Sequence, residues 1–177
     1  ASLAQLPTSA PSKVRVELNY HLGVAELFLG RERAAIDHLR EAVRILPELR
    51  GASEEFRNEV RFRLGVASLR LAETENCCLH YTSDSCILPI QGAGVHKLRE
   101  GSESAIVQFE SVLAATPPDS RMHLSSMWLL NIAYMTLGEH PQGVAARFLI
   151  SPSAFESDQA FPRFANIAPG LGLNSFS

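Results

Sequence analysis

The sequence predicts an all-α protein made of stacked helical hairpins, an α-solenoid, and three observations predict it. Apolar residues recur at spacings of three and four over most of residues 13–150, the period of amphipathic helices. A short pattern of small and large apolar residues returns along the chain, as it does when one hairpin is repeated. The 177 residues, 46% of them hydrophobic, suffice for one core and are too few for two large independent domains.

The elements follow in chain order. Residues 1–12 hold Pro7 and Pro11 among serine and threonine, a composition that favours an extended arm over a helix. From Lys13 the pattern changes: Leu18, Leu22, Ala25 and Leu29, then Ala35, Leu39, Ala42 and Leu46, mark two amphipathic helices. Gly30 stands between them and is expected as the turn of a hairpin, because glycine is costly inside a helix and favoured just past its end. A second unit opens at Leu64-Gly65, is interrupted, and resumes at Ala105, Phe109, Val112 and Pro117. Those four keep the spacings of four, three and five seen in Ala35, Leu39, Ala42 and Pro47. A third unit begins at Leu130-Asn131, with Leu137-Gly138 following where Leu29-Gly30 follows Leu22-Gly23. After it Pro141 and Gly143 leave only a short segment through Leu149, and residues 151–177 are expected as an extended, non-helical tail or connector.

Leu-Gly, a second glycine at the turn, then Ala, a large apolar residue, a small one and Pro resemble the tetratricopeptide repeat family. The resemblance implies close helix approach at Gly23, Gly65, Ala35 and Ala105. It implies gap filling by Leu39 and Phe109, and helix termination by Pro47 and Pro117. The tryptophan usual in that pattern is replaced by Asn19, Arg61 and Met127. The domain is thus expected over residues 13–150, its middle repeat split by an insertion at 75–100.

The insertion carries Cys77, Cys78 and Cys86 with His80 and His96. So long an irregular segment is expected to be functional or tied down. Three alternatives stand: a local disulfide, with Cys77 and Cys86 the favoured pair; inert buried thiols; or a soft-ligand site for zinc or copper drawn from the three cysteines, His80 and His96. The spacing matches no standard zinc or haem pattern. Gly92-Ala93-Gly94 lacks the strand and third glycine of a phosphate loop and is expected as a turn.

A second resemblance covers roughly residues 75–177. Glu75-Asn76-Cys77, the run from Ser85 to Ile90, Gly94-Val95-His96, the stretch from Trp128 to Gly138, and Phe161-Pro162-Arg163-Phe164 are similar to the tetratricopeptide region of bacterial ASPIC/UnbV-type proteins. The resemblance implies an exported protein, periplasmic or extracellular, and a following propeller of FG-GAP or VCBS repeats as neighbour. The sequence stops at Ser177 before any Asp-rich calcium loop, so calcium binding is not carried over. It also starts at Ala1 without a charged-then-apolar leader, which is expected if a targeting segment was removed or never present.

Function is bounded by the same residues. A net charge of −3 and a pI near 6.1 supply no basic stripe for nucleic acid, and Lys13 and Lys97 are the only lysines. No stretch nears the roughly 18 apolar residues of a membrane span. Paired carboxylates, a Ser/His/Asp set and a phosphate loop are not evident, so neither catalysis nor a cofactor is expected. The expectation is a scaffold for protein–protein interaction or assembly, binding a protein partner or itself. A metal- or redox-handling module at residues 77–96 and a self-assembling structural subunit are the alternatives. Candidate partner-binding residues are Tyr20, Val24, Phe62, Val66, Trp128 and Ile132, which recur on the first helix of each unit. The chaperone-type carboxylate clamp is disfavoured, because its lysines are missing.

Overall fold

Where the apolar period runs unbroken, helices form. The computed structural model describes residues 10–156 and 167–173, and among them the chain is all-helical, without a strand. Five α-helices carry the fold: α1 (Ser12–Phe28), α2 (Glu32–Ile45), α3 (Glu54–Glu73), α4 (Glu100–Ala115) and α5 (Arg121–Thr136). Each packs on its neighbours in sequence, and α1 also touches α3 and α3 touches α5. The ends are set by local chemistry. Ser53 and Ser120 accept hydrogen bonds from the backbone N–H of Phe56 and His123, capping α3 and α5. Gly30 adopts φ +69° in the turn after α1, a conformation that glycine enters without penalty. α2 ends at Ile45 and α4 at Ala115, each two residues before its proline, Pro47 or Pro117.

The close approaches expected from the repeat are present. Gly23 faces Leu39 so tightly that a Cβ would lie 2.5 Å from Leu39 Cγ. Gly65 faces Phe109 in the same way, at 2.7 Å from the ring. Ala35, Leu39 and Ala42 are fully buried, as are Ala105, Phe109 and Val112 seventy residues later. Arg57 ties the α2–α3 connection by donating to the carbonyls of Leu46 and Leu49, both at 2.7 Å.

The third unit differs. Instead of a second helix through Leu149 there is one 3-10 turn, Ala146–Phe148. Asn131 stands where the other units carry glycine. Its Nδ2 donates to Phe148 O at 2.8 Å and its Oδ1 accepts from Ile150 N at 3.0 Å. Phe148 and Phe155 are thereby brought into the core beside Leu130 and Met135. The tail is also not extended at its start, because Pro152–Phe155 form a further 3-10 turn that buries Phe155. Most of the expected N-terminal arm and the Phe161-Pro162-Arg163-Phe164 motif lie outside the described residues.

The insertion begins later than its composition implies. Cys77 and Cys78 belong to a π-helical turn, Thr74–Cys78, that prolongs α3, and the irregular segment runs over residues 79–99. Asn76 closes it at the base: Nδ2 donates to Ala72 O and Leu98 O, while Oδ1 accepts from Lys97 N and Leu98 N, all within 2.9 Å.

Candidate functional site

The six expected partner-binding residues differ in exposure and surroundings. Tyr20 is half-buried against Phe56, with ring centroids 5.6 Å apart, and its hydroxyl donates to Glu59 at 3.3 Å. Burial, then the Glu59 carboxylate, raise the pKa of that phenol. Val24 is half-buried on α1. Phe62 and Val66 pack on the core, Phe62 with its centroid 6.0 Å from Phe109. Trp128 is 44% exposed and stacks on Phe155 of the tail at 5.1 Å, while Ile132 is buried. Phe155 of the tail therefore lies against Trp128, and two concavities carry residues of the set.

The larger is a groove of about 820 Å³ between the first turns of α3 and α5, floored by the α4–α5 connection. Phe62, Met122 and Pro117 supply its apolar wall, and Glu54, Glu55 and Glu59 line it along α3, with Arg63 and Arg121 also at its edge. Glu59 holds Arg63 at 2.7 Å. Asn58 belongs to the same lining, is only 2% exposed, and its Oδ1 has no hydrogen-bond partner. A buried amide oxygen left unpaired costs about 1–3 kcal/mol, so Asn58 is a polar group that the fold leaves unsatisfied behind the groove wall. Sequence reasoning missed Asn58. The signal was there: Asn58, Phe62 and Gly65 share one helix face, and a polar residue on an otherwise buried stripe is informative.

The smaller concavity, about 260 Å³, lies beneath the insertion and is lined by Cys77, Cys86, His96, Trp128, Ile132 and Thr136, among others. Cys77 is buried, whereas Cys78 and Cys86 are exposed, and all three are free thiols. The expected Cys77–Cys86 disulfide is thus not formed, although both cysteines line this one cavity. Cys77 Sγ also lies 3.4 Å from His96 Nε2. Burial, reinforced by Cys86, pushes the Cys77 thiol up to about 12, and burial lowers the pKa of His96. The pair is therefore a neutral thiol beside a neutral imidazole. Among the described residues no three His, Cys, Asp or Glu side chains gather in a way that could hold a metal ion, and His80 is exposed.

The sequence singled out Cys77, Cys86 and His96 but gave no notice of the hydroxyls behind them. His96 Nδ1 is 3.2 Å from Ser102 Oγ, and Thr136 Oγ1 is 2.7 Å from both Ser102 Oγ and Ala133 O. Thr136 Oγ1 donates, with Ser102 Oγ and Ala133 O as its acceptors, and the contact of Ser102 with Nδ1 holds the His96 ring with Nε2 toward Cys77. The main chain of His96 is fixed as well, its N–H donating to Thr136 O at 2.7 Å. No family model, curated protein or solved structure matches the chain, and no described helix is long and apolar enough to cross a membrane.

Proposed function

We propose that this protein is a non-catalytic scaffold of tetratricopeptide type, acting outside the cytoplasm, that holds an extended segment of a partner protein in the groove between α3 and α5. The sequential pairing of helices supports the repeat architecture, and the ASPIC/UnbV-like motifs support export. The observation that carries the binding reading is the groove itself, with an apolar wall of Phe62, Met122 and Pro117 beside an acidic margin. Glu54, Glu55 and Glu59 outnumber Arg63 and Arg121 in its lining, which favours a segment bearing lysine or arginine, and Phe62 and Met122 favour an apolar neighbour for it.

The test is selection of a displayed random-peptide library on the whole chain, followed by affinity measurement on the enriched peptides. Basic-apolar peptides should be enriched, and Glu54→Gln combined with Glu55→Gln should weaken them several-fold, as expected for lost charge complementarity. Ser125→Trp, which fills the groove, should abolish binding while circular dichroism stays unchanged. Equal enrichment on the wild type and on Ser125→Trp would sink the proposal.

A further inference from the structure

We propose that Cys86 and Cys77 form a thiol–disulfide exchange site, in which exposed Cys86 takes up a sulfur from a low-molecular-weight disulfide and buried Cys77 resolves it with His96 as proton acceptor. This site is separate from the groove and does not depend on the peptide-binding proposal.

Three features of the geometry point to it. Both cysteines and His96 line one cavity of about 260 Å³, with the Cys77 sulfur 3.4 Å from His96 Nε2. Cys86 has φ +60°, the only non-glycine positive φ among the described residues, a conformation that persists where the surroundings enforce it. Those surroundings are visible: Ser85, buried beside it, accepts from Thr82 N through its hydroxyl at 3.0 Å and donates its own N–H to Thr82 O at 3.1 Å. This small turn holds Cys86 over the end of α3. Finally, His96 is held through Ser102 and Thr136 with its Nε2 toward the thiol, an arrangement that inert buried cysteines do not need.

The chemistry balances as two exchanges. Cys86 thiolate, its proton lost to water, attacks one sulfur of the external disulfide RS–SR. The S–S bond breaks, RS⁻ departs and is protonated by solvent, and Cys86 carries a mixed disulfide. Cys77 S–H then gives its proton to His96 Nε2, and its sulfur attacks Cys86 Sγ. The mixed disulfide breaks, the second RS⁻ leaves and takes the proton back from His96, and Cys77–Cys86 is formed. Two protein thiols are oxidised and one external disulfide is reduced. Burial disfavours spontaneous ionisation of Cys77, so the second exchange depends on the adjacent base, whereas the first needs only an accessible sulfur. Cys78, exposed and outside the cavity lining, has no part in either step. The product pins a ten-residue loop to the end of α3.

Oxidised glutathione is the probe, added to the whole chain and followed by quenching with an alkylating agent, peptide mapping and intact mass. The wild type should end with Cys77 linked to Cys86, and Cys78, an exposed thiol with no resolving partner, should be recovered glutathionylated or alkylated. Cys77→Ser should stop at glutathionylated Cys86, and Cys86→Ser should leave Cys77 unreacted. His96→Gln should form the Cys86 mixed disulfide at the wild-type rate but resolve it about a hundredfold more slowly. Resolution in His96→Gln should also lose the pH inflection in the histidine range, a readout that general loosening of the loop does not produce. If His96→Gln fails to fold, the Cys77→Ser and Cys86→Ser arms still decide. Pairing of Cys86 with Cys78, a persistent mixed disulfide on Cys86 in the wild type, or three alkylated thiols after oxidation would each overturn the proposal.

Discussion

The α1–α2 and α3–α4 hairpins make the same central contact by different routes. In the first, Gly23 meets Leu39 across a connection of three residues, Leu29 to Arg31; in the second, Gly65 meets Phe109 although residues 74–99 intervene. Loop closure grows only logarithmically with length, so the longer connection costs about 2 kcal/mol more. Burying a phenylalanine ring contributes more than that. Helix partners are therefore chosen by side-chain register, and the connection is free to carry something else, here a turn that holds Cys86 above Cys77 and His96.

The largest expected effect breaks that contact. Phe109→Ala should cost about 3–5 kcal/mol and Leu39→Ala about 2–5 kcal/mol in urea unfolding, with the aromatic leaving the larger hole. The register argument is sharpened by Gly65→Ala. Alone it drives a methyl into the Phe109 ring; in the Phe109→Ala background it should be much better tolerated, giving a coupling of about 0.5–3 kcal/mol in a double-mutant cycle. Additive costs would mean that Gly65 is small for some other reason.

Next comes the unit that lacks its second helix. Asn131→Ala should cost about 2 kcal/mol, because it strands Phe148 O and Ile150 N. It should also release Phe155 from Trp128, which indole fluorescence would detect. Asn76→Ala, at the more exposed base of the insertion, should cost about 1 kcal/mol, since water replaces part of what it loses. Thermal unfolding of both variants side by side gives the ranking.

These residues also mark how far the sequence could be followed. Ala35, Leu39, Ala42 and Pro47, repeated as Ala105, Phe109, Val112 and Pro117, announce two helices and their ends because core spacing is a local, periodic signal. Gly30 is legible as a turn for a similar reason. What Asn131 does was not legible: an amide in place of glycine is a departure from the pattern until Phe148 and Ile150 are seen to need its hydrogen bonds. The candidate sites divide the same way. Cys77, Cys86 and His96 are conspicuous by residue type, but Ser102 and Thr136 join them from α4 and α5, and only the fold brings those hydroxyls to the imidazole. Asn58 was hidden by being one polar residue among many on an amphipathic helix.

The smallest effects distinguish the two hairpins by pH. In α2, Glu41 is held below the usual carboxylate range by its hydrogen bonds to Arg44 at 2.7 and 2.8 Å, assisted by Arg15. A depressed carboxylate contributes stability above its unfolded pKa and loses it as pH falls through the folded value, so the Glu41 contribution should be lost only in the acid range. This exposed cluster contributes at most about 1 kcal/mol. His96, buried between α3 and α5, is depressed as a base, which sets a different window. Below about pH 6.5 the unfolded chain takes up a proton that folded His96 refuses, and stability declines from there downward. Cys77 supplies the opposite limb. Its thiol is pushed up to about 12, so the unfolded chain ionises first and stability declines as pH rises from the ordinary thiol range toward that value. A stability profile of the wild type should thus slope away on both sides of neutrality. His96→Gln should flatten the limb below pH 6.5, Cys77→Ala the alkaline limb, and Glu41→Gln neither. If the limb below pH 6.5 survives His96→Gln, the imidazole is not the neutral partner of Cys77, and the proton path to its sulfur fails with it.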